Sequence, residues 1–394
     1  MKALKTFEKG VDFTAKTFAG LEDVLAAELE GLGARSVEPG KRVVYFRGDK
    51  ALLYKANYRC RTALRILQPV GVFTVRNDRE LYEKVKRIDW PALFDVKKKI
   101  IVGAAVFHSS LTHSHYVALK TKDAIADLFR EKTGKRPFVS KENPEVFVDV
   151  HISQDKCTVS LDSSGASLHK RGYRVAADKA PLNEVLAAGM IRLSGWNKEG
   201  DFIDPMCGSA TLPVEAAMEA MQIPAGYYRK RFAFQHWNDY DPELWEKVKQ
   251  EAAALITEHD FPIIASDKSY KAFKIAGANL KHAGLHKDVV LLNKPFAKVN
   301  PESGKGMLMF NPPYGVRLED DELVALYQHI GDVLKNRFQG YEAWIITGNP
   351  AVAKFIGLKP SRKIKLYNGA IESRLIKFEM YGGSKKAKKN KPVS

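Results

Sequence analysis

The sequence predicts an α/β chain: a doubly wound domain of seven strands whose last strand runs antiparallel, preceded by two small α+β units. Three observations predict it. From residue 184 onward, short apolar runs alternate with segments of helical periodicity, as strands and crossover helices do in a parallel sheet. Before residue 163 the alternation comes in shorter blocks closed by a hairpin, which suits small α+β units. The last two strand candidates are joined closely around Asn368-Gly369, and so short a connection forces an antiparallel pair. The 394 residues, 45% hydrophobic and 28% charged, suffice for two or three globular domains.

Taken in order, Phe13–Phe18 is a short strand, and Leu21, Val24, Leu25, Leu29 and Leu32 recur at helical spacing up to Gly33. Arg42–Arg47 is a β-branched and aromatic strand turned by Gly48-Asp49; Ala51–Tyr58 reads as a helix and Ala63–Pro69 as a strand. Leu81, Tyr82, Val85 and Ile88 mark a helix from Asp78, and Ile100–Phe107 is a strongly apolar strand. The next helix buries Ala118, Ala124, Ile125, Leu128 and Phe129 and carries Lys120, Lys122, Arg130 and Lys132 on what reads as a basic face. Val146–Ile152 and Cys157–Asp162 form the hairpin. The pattern breaks at Ser163-Ser164-Gly165, which places the units at 1–59, 60–163 and 164–382, with a basic, disordered tail at 383–394.

Beyond the break, Glu184–Ser194 is a helix and Phe202–Asp204 a short buried strand. A turn, Pro205–Ser209, opens the helix Thr211–Met221. Strands follow at Ile263–Asp267, Val289–Asn293, Met307–Phe310 and Glu342–Thr347. Helices marked by Phe273, Ala276, Gly277 and Leu280, and by Leu323, Leu326, Tyr327, Ile330 and Leu334, connect them. Lys363–Leu366 and Arg374–Tyr381 complete the seven strands.

The net charge is +17, and removing the five tail lysines still leaves +12 (17 − 5), so the folded body is basic too. Such a balance points to a polyanionic partner, with nucleic acid the usual one. Leu168–Arg174 places Lys170, Arg171 and Arg174 around Tyr173, which suits an RNA-touching edge or a basic linker. Cys60, Cys157 and Cys207 are far apart with no Cys-x-x-Cys, which fits a reducing compartment. The start, Met1–Lys5, carries no apolar run of signal-peptide length, and no stretch reaches the ~18 apolar residues of a membrane span. A cytoplasmic location is the expectation. His108, His113 and His115 share a loop without a carboxylate or Cys at ligand spacing, so no metal is expected.

In an open parallel sheet, ligands bind outside the carboxyl ends of the strands. Asp204–Ala210 is a Gly-bearing turn opening a helix whose N-terminus favours a carboxylate. It lacks the dinucleotide Gly-x-Gly-x-x-Gly pattern. Asp267 ends the second strand, where an acid can take both ribose hydroxyls. Asn293 ends the third and can meet an adenine edge. A nucleoside bearing a carboxylate and no pyrophosphate fits all three places, and S-adenosylmethionine is such a molecule. After the fourth strand comes Phe310-Asn311-Pro312-Pro313-Tyr314-Gly315. Its two prolines cannot continue a central strand. Asn311 supplies an acceptor and Tyr314 a flat ring, a cradle for a planar amine; the plainer reading is a Pro-rich turn.

These residues resemble the THUMP-containing class I RNA methyltransferases, and closely the bacterial large-subunit rRNA guanine-N2 methyltransferase family. The likeness lies in Tyr116–Asp127, Leu168–Arg174, Ala180-Pro181-Leu182 with Glu184, Asp204–Ala217, Asp267–Leu285, Asn311–Leu318 and Leu366-Tyr367-Asn368-Gly369. It implies a ferredoxin-like N-terminal unit, a THUMP RNA-binding domain and a Rossmann-like methyltransferase domain. Asp204, Met206, Gly208 and Ser209 would border the methionine part of S-adenosylmethionine, Asp267 its ribose and Asn293 its adenine. Asn311 to Tyr314 would hold the target amine, with Asn311 also at the cofactor. Lys120, Lys122, Arg171 and Arg174 would meet RNA, with rRNA the expected substrate. Two positions depart from the family: Ala210 stands where Gly is usual, and Asn293 where Asp is common. A tRNA guanine-N2 methyltransferase of the same architecture and a non-catalytic RNA-binding assembly factor are the alternatives. The same motif also serves N6-adenine and protein-glutamine N5 methyltransferases, the latter disfavoured by the basic N-terminal half.

Overall fold

The structure, a computed structural model, describes residues 10–177, 181–314 and 320–380. Met1–Lys5, Ala180, Gly315 and the rest of the resemblance to Leu318, Tyr381 and the 383–394 tail lie outside the described residues. The chain divides into two compact units. Of the described residues, the first takes those up to Thr17, Leu25–Lys170 and Arg229–Ala254; the second takes Phe18–Val24, those from Arg171 to Tyr228 and those from Leu255 to Met380.

The first unit is built from β1 (Val11–Lys16), the helix α1 (Glu22–Gly31, which begins in the other unit), β2 (Arg35–Gly40), β3 (Val43–Gly48), α2 (Lys50–Arg59) and β4 (Arg65–Thr74). It continues through α3 (Asp78–Lys86), the single turn α4 (Trp90–Leu93), β5 (Ile100–Phe107), α5 (Ser114–Thr133), β6 (Val146–Ser153) and β7 (Lys156–Asp162). The two blocks read separately in the sequence share one seven-stranded sheet, ordered β2-β3-β1-β4-β7-β6-β5. β4 joins them by pairing antiparallel with both β1 and β7. One apolar core runs under the whole sheet, from Phe13 and Phe46 through Phe129 and Val150. β2 carries no apolar alternation: a register shift between Arg35 and Glu38, followed by Pro39 and Gly40, leaves it an irregular edge strand.

In the second unit, α6 (Glu184–Ser194), β8 (Asp201–Asp204) and α7 (Thr211–Ala220) come first. Next is α8 (Pro242–Ala253), which with the 3-10 turn Ala233–His236 belongs by packing to the first unit. There Tyr54 of α2 stacks on Phe234 at 4.4 Å, and the Trp245 ring meets Tyr54, Tyr58, Phe232 and Phe234 edge-on. The Asp241 amide donates to the Tyr54 hydroxyl at 3.0 Å, just before the helix starts at Pro242. The second unit then proceeds through β9 (Ile263–Ser266), α9 (Tyr270–His282), β10 (Val290–Leu292), β11 (Gly306–Phe310), α10 (Asp320–Arg337), β12 (Tyr341–Thr347), β13 (Arg362–Asn368) and β14 (Ile371–Glu379). Its sheet is ordered β10-β9-β8-β11-β12-β14-β13. The first five strands are parallel, while β14 runs antiparallel to both β12 and β13, as the short Asn368-Gly369 connection requires. β8 and β9 are buried along their whole length; β9 reads as Ile-Ile-Ala-Ser, whereas β8 holds only Phe202 and Ile203 between two buried aspartates, Asp201 and Asp204.

Candidate active site

The strand order reverses between β8 and β11, and a crevice outside the carboxyl ends of strands opens at such a point. Asp204 ends β8 and Asn311 follows β11. The register Leu308 to Ile203 brings both out at the same edge of the sheet. Asp204 is buried, and its Oδ1 accepts from the Met206 amide at 3.1 Å. Burial holds its carboxyl well above the usual range, against that hydrogen bond, and the nearby Asp267 adds to the effect. Met206 lies half-buried against the apolar core of this sheet.

Asp267 follows β9. Its Oδ2 accepts from the Gly208 amide at 3.0 Å and its Oδ1 from the Ser269 amide at 2.9 Å. A carboxylate has about four acceptor positions, so each oxygen keeps one for a ribose hydroxyl. Asn293 is exposed after β10 and donates its amide to the Asp267 carbonyl at 2.8 Å. That contact uses the donor side of the amide, and the acceptor side remains for an adenine amine. Gly208 sits at φ +55°, and a methyl group there would meet nothing within 4 Å, so the loop is open above it. These donor and acceptor types fit a nucleoside cofactor without pyrophosphate.

Arg174 and Arg171, expected at RNA, are corrected by their partners. Arg174 donates to Glu184 at 2.9 Å, to Ser209 Oγ at 2.6 Å, to Thr211 Oγ1 at 2.9 Å and to the Leu182 carbonyl at 3.2 Å. Its guanidinium therefore braces the loop between β8 and α7, including Ser209. Arg171 is buried and paired with Glu215 through contacts of 3.3 and 3.4 Å, while the Tyr173 hydroxyl donates to Glu215 at 3.2 Å. A cation sealed beside its counter-ion cannot reach a phosphate.

Sequence reasoning missed Asn279. It is fully buried on α9, where its Oδ1 accepts from the Val175 and Ala176 amides at 2.9 and 3.0 Å. Its Nδ2 donates to the Ala176 and Ser209 carbonyls at 2.9 and 3.0 Å. The available signal is its place in the Ala272, Ala276, Leu280 stripe: an amide on an apolar helix face must satisfy its bonds locally.

Asn311 holds the acceptor expected of it. Its side-chain oxygen is buried and has no hydrogen-bond partner among the described residues. Pro312 is buried, Pro313 exposed and Tyr314 half-buried. The Tyr314 hydroxyl accepts from Asn368 Nδ2 at 2.9 Å, and its ring lies over Gly348, where a methyl group would come within 2.6 Å of Cε2.

Lys120 and Lys122 lie on α5 of the first unit. Lys120 pairs with Asp78 at 3.6 Å and sits 5.5 Å from the Tyr82 ring centre, whereas Lys122 pairs with Asp123 at 2.7 Å. Residues two apart on a helix point in different directions, so the single basic face expected of them is split. Among the described residues no group of three or more His, Cys, Asp or Glu side chains is placed to hold a metal ion, and no helix is long and apolar enough to cross a membrane.

Residues 171–377 match the RMKL-like methyltransferase domain, 75–162 the THUMP domain and 12–67 the RlmL ferredoxin-like domain. A Synechocystis protein classed as an RNA methyltransferase is 38% identical over 94% of this chain and 97% of its own. The ribosomal RNA large subunit methyltransferase K/L of Methylococcus capsulatus is 40% identical over 94% of this chain, which spans 51% of that relative's length. A crystal structure described as a methyltransferase complexed with SAH superposes with a TM-score of 0.85 at 30% identity, covering 95% of this chain and 99% of that one.

Proposed function

The chain belongs to the RMKL-like methyltransferase family, with a THUMP domain and an RlmL ferredoxin-like domain ahead of the catalytic one, and on that premise we propose that it methylates the exocyclic N2 amine of a guanine in ribosomal RNA, in the cytoplasm. Its cofactor is S-adenosylmethionine, which the class I fold and the SAH-bound relative support. The large-subunit RNA as substrate rests on the K/L relative and on the +17 charge.

The observation that carries the reading is the buried, unpartnered oxygen of Asn311. A buried acceptor without a partner costs about 1–3 kcal/mol, and a target amine that donates to it relieves the cost. The lone pair of an exocyclic base amine is delocalised into the ring. Hydrogen bonds from its two N–H groups to Asn311 Oδ1 and the Pro312 carbonyl favour a pyramidal nitrogen with that pair available. Bound beside them, S-adenosylmethionine supplies an electrophilic methyl group. Asp267 holds its ribose side, Asn293 the adenine side, and Asp204, Met206, Gly208 and Ser209 border the remainder. Tyr314 stacks on the target base and keeps the amine in line, and such positioning accounts for much of the rate. A base inside a duplex cannot enter, so it arrives flipped out or single-stranded.

The test is mass spectrometry of nucleosides after incubation of the protein with S-adenosylmethionine and unmodified rRNA or tRNA. N2-methylguanosine in rRNA is the expected product. N6-methyladenosine, or methylation of tRNA alone, would overturn the substrate assignment. Asn311→Ala is expected to keep most cofactor affinity by calorimetry, since the ribose and adenine contacts of Asp267 and Asn293 remain, and to lose turnover by about a hundredfold or more, the size seen when a positioned polar group at the reacting centre is removed. Turnover near wild type would remove Asn311 from this role.

A further inference from the structure

We propose that Asn368, at the tip of the β13–β14 hairpin, is a positioning residue that sets the Tyr314 ring for the target base, with Gly348 as the seat of that ring. The proposal rests on the reading of Tyr314 as the stacking surface and adds what fixes it. Three strand ends meet there. Tyr314 follows β11, Gly348 follows β12, and Asn368 closes β13 opposite Ile371, the first residue of β14. Asn368 Nδ2 donates to the Tyr314 hydroxyl at 2.9 Å, which pins the far end of the ring.

A methyl group on Gly348 would lie 2.6 and 2.8 Å from two Tyr314 ring carbons and 2.9 Å from Ile371 Cγ2, so any larger residue displaces the ring. The hairpin has little slack, because only Gly369 and Ala370 separate Asn368 from Ile371, with Gly369 at φ +64°. Tyr314 is joined to Asn311 through two prolines whose φ angles are fixed. The short, stiffened link limits how far Tyr314 and Asn311 can move apart, while the hydroxyl contact to Asn368 holds the ring itself. A base stacked on Tyr314 presents its amine to Asn311 only while the hydroxyl stays anchored.

A double-substitution cycle tests this with Asn368→Ala, Tyr314→Phe and their combination, read by turnover and by thermal unfolding. Asn368→Ala is expected to lower kcat about tenfold with cofactor affinity unchanged, since sub-ångström misplacement of a reactant is costly. Tyr314→Phe should cause a similar loss, and the double variant no further one. The fall in Tm should be non-additive in the same way. Multiplying losses in turnover and adding shifts in Tm would overturn the clamp. Coupling in Tm with none in turnover would overturn the positioning role. Gly348→Ala, with Asn368 intact, should lose kcat as well; full activity would contradict the seat. The thermal cycle needs no substrate, so a wild-type chain that methylates no RNA would sink the proposed reaction while leaving the clamp to be judged by Tm alone.

Discussion

Ala210 holds φ +63° at the start of α7, fully buried, in a backbone region that an L side chain occupies at a cost of roughly 1–2 kcal/mol. Its departure from the usual glycine was visible in the sequence, but the strain became visible only with the dihedral. Ala210→Gly is expected to stabilise the protein by about 1 kcal/mol, measured by chemical denaturation. Asp204 gives a second expectation, on pH. Its pKa is raised from 3.8 in the folded state, so the folded form binds more protons than the unfolded one across that interval. This carboxyl therefore favours folding at acid pH and loses that contribution as pH rises from the unfolded value through the raised one. Asp204→Asn should make the cofactor-free protein more stable than wild type near neutrality and erase the gain toward pH 3; a constant difference across pH would contradict it. That Asp204, Asp267, Asn293 and Asn311 stand at or just after strand ends could be read from the sequence. Arg174 could not, because a basic run looks alike whether its cations face solvent or brace a loop, and only the positions of Glu184, Ser209 and Thr211 decide.

The elements themselves were mostly legible, since buried strands such as β9 and β11 carry short apolar runs and α9 has a periodic stripe of Ala272, Ala276 and Leu280. The exceptions share a cause. β2 lacks alternation, and α8 starts at Pro242 after an aromatic segment whose packing partners lie some 190 residues earlier, as the 187-residue separation of Tyr54 and Asp241 shows. α5 shows the opposite error, a pattern seen where the geometry divides it. At 3.6 residues per turn, Lys120 and Lys122 point about 160° apart. Each is also beside an acid, Asp78 or Asp123. With rRNA as the proposed ligand, one of the two at most can serve a given stretch of backbone. Replacing both by Ala is therefore expected to reduce the slope of log affinity against log salt by no more than about 1, one phosphate's worth, and by no more than the better single replacement. A double variant whose slope falls by about 2 would show that both lysines reach the same RNA.

For the whole molecule, chain order and folding unit do not coincide. Arg229–Ala254 lies inside the stretch that matches the methyltransferase domain, yet it folds with the first unit, and Phe18–Val24 goes the other way. Family likeness follows the chain, whereas packing follows where apolar side chains find partners, and Trp245 finds its partners on α2. Its ring is 6% exposed and touches four aromatic residues, two of them, Tyr54 and Tyr58, on that helix. Trp245→Ala removes this ring from the core and leaves a space that the surroundings fill only in part, a loss of about 3–5 kcal/mol. That loss should fall on the first unit although the residue belongs by sequence to the catalytic stretch. Hydrogen exchange is the measurement: faster exchange is expected in Lys50–Arg59 and Pro242–Ala253, with protection of α6, α7 and α9 and affinity for S-adenosylmethionine both retained. Equal loss of protection in α6, α7 and α9, together with lost cofactor binding, would show that the insert supports the catalytic unit instead.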